Sequence, residues 1–155
     1  MNFRIQGLPV ASFSPLFGLP DAELAQRGAL RVVADSHPGY PDRIEMRDAE
    51  PGESLLLLNH VHHDVINPYR ASHAIYVLEG ARRTFDAVDE VPECMRRRLL
   101  SLRAFDARGF MVAAEVVEGR AVETAIDSLF ANPDSAELHA HYAKPGCFAA
   151  RILRL

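Results

Sequence analysis

The sequence predicts an α+β fold: a mainly antiparallel curved sheet or partial barrel with two to three helices, one packed on a sheet face. Two observations carry this expectation. Short apolar or alternating runs bounded by turn residues outnumber helical patterns along the chain. These runs also follow one another instead of alternating strictly with helices, which argues against a parallel βαβ sheet. At 155 residues the chain is expected to form a single domain over 1–155, long enough to bury a core without staples.

The elements follow in order. Residues 3–7 read as a strand. Residues 20–27 read as a helix, opened by Pro20, with Asp21 and Glu23 in its first turn and Gly28 behind it. Strands are expected at 30–34, 43–47, 55–60 and 74–78. A short helix at 92–98 begins on Pro92 and ends on Arg96-Arg97-Arg98, where cations favour the helix C-terminus. That triplet reads as a solvated helix end before it reads as an anion site. Strands at 99–105 and 110–117 flank Asp106-Ala107-Arg108-Gly109, a turn with glycine in its last position. The clearest helix is 120–131, where Val122, Ala125, Ile126, Leu129 and Phe130 form one apolar stripe stopped by Asn132-Pro133. Strands at 137–142 and 148–153 bracket the turn Lys144-Pro145-Gly146.

Composition narrows the partners. A net charge of -4 argues against general affinity for nucleic acid or an anionic membrane. No apolar run approaches the ~20 residues that cross a bilayer. The first residues lack the apolar core and cleavage site of a signal peptide, and Cys94 and Cys147 make no disulfide framework, so a cytoplasmic protein is expected. Cys147, beside Pro145-Gly146, reads as a small buried hydrophobe before a reactive thiol. The chain has no Gly-x-Ser-x-Gly elbow, no P-loop, no Gly-x-Gly-x-x-Gly and no His-Glu-x-x-His.

The functional signal is in the histidines. They cluster at His60-Val61-His62-His63, at His73, and at His139-Ala140-His141. Strand side chains alternate with period two, so His-x-His puts both imidazoles on one face. On a continued strand His60 and His62 share a face, and His63 takes the other. Pairs so placed can reach one divalent metal, and His60, His62, His139 and His141 are the expected metal ligands. His62, His73 and His141 are the candidates for catalysis, as ligands or proton carriers. The string His60-Val61-His62-His63-Asp64 imitates a metallo-β-lactamase motif, but Val65 stands where the last histidine belongs. Ala74 to Gly80 has the flavour of a cupin strand and turn, but the spacing from His62 is wrong and no second motif follows.

The alternative chemistry is capture of a small anion. Tyr69, Arg70, Lys144 and Arg151 lie beside the histidines in sequence, and arginine offers a planar fork to carboxylate or phosphate. Arg70 has a blander fate available in pairing with Asp64 or Glu79. A different class of function also fits: a non-catalytic, metal-free homodimeric module with structurally satisfied histidines.

Several stretches together resemble a bacterial family of domains of unknown function, the one numbered 1203. They are Pro38-Gly39-Tyr40-Pro41 with Arg43, the acidic run from Asp48 to Glu53, the segment from Pro68 to Val77, Ser101 to Asp106, and His139 to Arg151. The resemblance spans nearly the whole chain. It implies a small bacterial protein and carries no activity or catalytic residues with it.

Overall fold

The computed structural model describes residues 2–155. Among the described residues nine strands form two open antiparallel sheets, in keeping with the α+β expectation. The larger orders its strands β5-β1-β9-β8-β6-β7. These are β1 (Phe3–Gln6), β5 (Asp86–Val88), β6 (Leu99–Phe105), β7 (Met111–Glu118), β8 (Glu137–Tyr142) and β9 (Phe148–Arg154). The smaller orders β2-β3-β4, with β2 at Ala29–Val33, β3 at Ser54–His63 and β4 at Ala71–Leu78. The helices are α1 (Asp21–Gln26), α2 (Glu93–Arg96) and α3 (Val122–Ala131). No helix among the described residues is long and apolar enough to cross a membrane.

Period-two alternation divides the large sheet into two chemically distinct faces. On β6 and β8, Leu100, Leu102, Ala104, Leu138, Ala140 and Tyr142 point to one side. The apolar stripe of α3 buries Val122, Ala125, Ile126, Leu129 and Phe130 against that side, as its 3.6-residue period requires. The alternate residues Ser101, Arg103, Phe105, Glu137, His139 and His141 therefore point away from α3. That second face looks toward the small sheet, whose own core gathers Leu24, Leu55, Leu58, Ile75 and Val77 around the N-terminal segment.

The expected strand at 43–47 does not form. Those residues make only bends beside isolated bridges at Pro41 and Asp42. The reason is Asp42, wholly buried, whose carboxylate accepts backbone N–H bonds from Ile44, Glu45 and Leu78. A side chain that binds its own backbone two and three residues on builds a turn in place of a ladder. Asp42→Asn keeps Oδ1 but sets an amide NH2 against the Glu45 N–H. It is expected to cost about 1–3 kcal/mol, the penalty of a buried donor left unmade, measured by urea unfolding; an unchanged midpoint would contradict this account of the turn. The short β5 was not legible, since three residues carry no periodicity.

Candidate functional site

The two sheets enclose a crevice, and the histidine clusters meet inside it. From β8 come Glu137, His139 and His141, on the face opposite α3. From β4 comes His73, directly across from His60 of β3. The end of β3 departs from simple alternation. Val61 pairs with Ser72 but His63 pairs with Ala71, so His62 is the extra residue of a β-bulge. A bulge re-aims side chains, and this one turns His63 to the crevice along with His62. The expectation that His63 lies on the opposite face from His62 is thereby corrected.

The rings make a continuous cluster. His62 lies 4.9 Å from His73, 4.9 Å from His141 and 5.5 Å from His139, centroid to centroid. His73 is 5.3 Å from His141, and His63 is 5.0 Å from His139. Phe148 stacks on His62 at 4.8 Å and helps wall the cluster. Two sets of three residues each bring their donor atoms within 4.8 Å of one another: His62, His73 and His141, and separately His63, Glu137 and His139. His60 belongs to neither set. It contacts Phe13 and Phe148 at the edge of the crevice.

Outer partners fix the imidazole tautomers. A carbonyl oxygen only accepts, so His141 donates Nδ1–H to Gly146 O at 3.1 Å and carries its lone pair on Nε2. That Nε2 is buried and has no partner. His139 donates Nε2–H to Glu137 Oε1 at 3.1 Å and leaves Nδ1 buried and unpartnered. His63 donates Nε2–H to Gly109 O at 2.9 Å. His62 Nε2 and His73 Nδ1 lie 2.9 Å apart, while His62 Nδ1 has no partner. Buried polar atoms rarely go unmatched, and outer hydrogen bonds with free inner lone pairs are how metal-binding histidines are oriented.

Electrostatics keeps these rings neutral. Burial, reinforced by the neighbouring imidazoles, pushes His62 down to about 2. Burial and then Arg103 push His141 down to about 3. His60, His73 and His139 are lowered as well, each chiefly by burial. Burial would raise Glu137, but hydrogen bonds from His139 and Arg151 hold its carboxyl at about 2. At neutral pH His62, His73, His139 and His141 are thus lone-pair donors beside the Glu137 carboxylate.

The geometry suits a metal. Two nitrogens that each bind a tetrahedral zinc at ~2.0–2.1 Å stand ~3.3 Å apart. The 2.9 Å between His62 and His73 needs only small ring rotations to reach that spacing. The sequence points to His60, His62, His139 and His141 as metal ligands and to His62, His73 and His141 for catalysis; the structure groups His73 with His62 and His141, and His139 with His63 and Glu137.

Two cavities open onto the cluster. The larger, about 820 Å³, reaches His73 and is lined by Arg43, Arg97, Arg98, Lys144 and Cys147 among others. Arg98 is paired with Asp48 and Arg97 with Glu93. Arg43, 1% exposed, has no acidic partner among the described residues; it donates to Phe148 O, Pro41 O and Cys147 Sγ. The smaller cavity, about 420 Å³, is lined by His62, His63, Glu137 and Arg151, with Asp64 and Asp106 at its rim.

The four residues expected to hold an anion are separated. Lys144 lines the larger cavity, with no ion pair among the described residues. Arg151 lines the smaller and is hydrogen-bonded to Glu137. Arg70 pairs with Asp64 at 3.1 Å, both well exposed. Tyr69 is exposed and packs edge-on to Phe105 and Phe110.

Residues 39–154 match the family model described as a protein of unknown function, DUF1203. The chain belongs to that family. Comparison with curated proteins and with solved structures returned no match.

The DUF1203 match takes in every histidine of the crevice. It also takes in Arg103, which sequence reasoning passed over. Arg103 pairs across the ladder with His139 and stands one diagonal step from His141. It is half-buried and forms no hydrogen bond or ion pair among the described residues. Its charge is felt at His73 and His141, both of which it lowers. The signal for it was parity: Arg103 falls on the same side of β6 as Ser101 and Phe105. Glu137 was legible in the same way, two residues before His139.

Proposed function

We propose that this DUF1203 chain holds a divalent metal ion on His62, His73 and His141 and binds a small anionic ligand beside it. The observation that carries the reading is the donor set itself. Three neutral imidazoles converge to within 4.8 Å, two of them, His62 and His141, with a buried nitrogen that has no partner among the described residues. No carboxylate belongs to that set, and Arg103 adds an unpaired cation next to it. Such a site gathers positive charge with nothing in the chain to balance it, so an anion is the fitting ligand.

An ion on three histidines keeps an open position, which supplies Lewis acidity to a ligand oxygen. The chain's own residues do the rest. His73 joins that position to the larger cavity, where Lys144 offers a point charge and Arg43 a fixed guanidinium. Gly146 O and the bulge of β3 hold His141 and His62 in orientation.

Metal analysis tests the reading. Protein purified without a histidine tag or chelator is expected to carry at least one equivalent of zinc, iron, nickel or manganese by plasma mass spectrometry, and His73→Ala is expected to lose one equivalent. A metal-free protein whose melting temperature ignores added zinc, nickel and manganese would sink the proposal.

A further inference from the structure

The second set of donors lies outside that three-histidine site, and it has its own opening. We infer that the crevice is a two-metal centre, with a second divalent ion held between His63, Glu137 and His139. Four observations converge on it. The three donor atoms lie within 4.8 Å of one another. His139 is wholly buried, and its Nδ1 has no partner. The set combines two imidazoles with a carboxylate, a donor mixture suited to zinc and to iron(II) alike. The smaller cavity reaches His63 and Glu137 directly, on a path separate from the cavity at His73.

Local structure explains how the set arises. Glu137 and His139 share a face of β8 by period two, and the β3 bulge supplies His63. The carboxylate is now shared between His139 and Arg151. Arg151 is about half exposed on its side chain, so it can swing away or remain as an outer partner while Glu137 turns an oxygen to the ion. His62 touches both His139 and His141, which makes the two sites neighbours across one ring. Neighbouring divalent ions hold a ligand oxygen from two sides, in keeping with the anionic ligand proposed above. The two-metal centre rests on that reading, while the second set of donors stands on its own geometry.

Counting ions in variants decides the matter. The full chain, stripped with chelator and dialysed, would be titrated with zinc chloride, desalted and assayed for zinc per chain, with circular dichroism as a check on folding. Two zinc ions per wild-type chain are expected, one in Glu137→Gln, one in His63→Ala, and one in His141→Ala. The His63→Ala variant serves if loss of the Arg151 pair unfolds Glu137→Gln. Saturation of the wild type at one ion, lost in His141→Ala and kept in Glu137→Gln, overturns the second site and leaves the first standing. One ion that is lost in Glu137→Gln and kept in His141→Ala overturns the three-histidine site and the two-metal centre, leaving the second set alone. Two ions surviving in both Glu137→Gln and His63→Ala also overturn the inference.

Discussion

His141→Leu is expected to abolish the stabilisation that metal confers through the three-histidine site, while leaving the metal-free protein within about 1 kcal/mol of wild type. The two halves of this expectation have separate causes. In the metal-free protein His141 is 0% exposed and presents an unpartnered Nε2, an arrangement that costs about 1–3 kcal/mol. Leucine removes that cost and fills comparable space. It also removes the Nδ1–H bond to Gly146 O, a loss of about 1 kcal/mol, so the two effects nearly offset. With metal the balance changes. An ion that binds only the folded state adds about 2.7 kcal/mol at a concentration of 100 times its Kd. Wild type gains this and the variant, short of one ligand at the three-histidine site, gains far less. Urea unfolding of both proteins, with and without zinc, separates the terms. A metal-free variant destabilised by more than about 3 kcal/mol, beside a wild type that gains nothing from zinc, would make the histidines structural.

A cluster of this kind is what a sequence reveals only in part. His-x-His on β8 was legible because period two is a property of any strand, and Glu137 follows from the same parity. The stripe of α3 was legible for the matching reason at 3.6 residues, and its burial against β6 and β8 set which face of the sheet would carry the histidines. Three things were hidden. The bulge that turns His63 inward adds a residue without any glycine or proline to mark it. The turn at Asp42 depends on a backbone donor 36 residues away, the N–H of Leu78. Above all, nothing in the local pattern says that β3 and β4 form a separate sheet facing β8, and that packing is what brings His62 and His73 to His141. Charge placement was misleading for a related reason. Arg70 and Arg151 lie close to histidines in sequence, yet each is engaged by a carboxylate, while the unpaired Arg103 lies well beyond His73 in the chain and meets it only in space.

The metal-free protein is expected to lose stability as pH falls from about 6.5, well before carboxylate protonation begins to act. His141 has its folded value near 3 against 6.5 for the ordinary group, and His62 stands near 2. Above pH 6.5 both are neutral in the folded and the unfolded chain, so neither contributes. Below it the unfolded chain binds protons that the folded chain refuses, and stability declines by about 1.4 kcal/mol per pH unit for each such group. Between pH 6.5 and 5 the wholly buried His141 alone accounts for about 2 kcal/mol. His139 acts in the same direction, though Glu137 opposes its shift. Glu137 works lower: its carboxyl is held at about 2 against 4.5, so it contributes stability above 4.5 that is lost as pH falls through 2. The window from 6.5 to 4.5 therefore belongs to the histidines, with Arg103 facing His73 and His141 and no carboxylate in their set to retain the incoming proton. Urea unfolding from pH 7.5 to 4.5 after chelation measures the slope, and His141→Leu should reduce it by about one proton. A flat profile between pH 7 and 5 would mean that the folded crevice accepts protons as readily as the unfolded chain, contradicting the depression that burial imposes on His62 and His141.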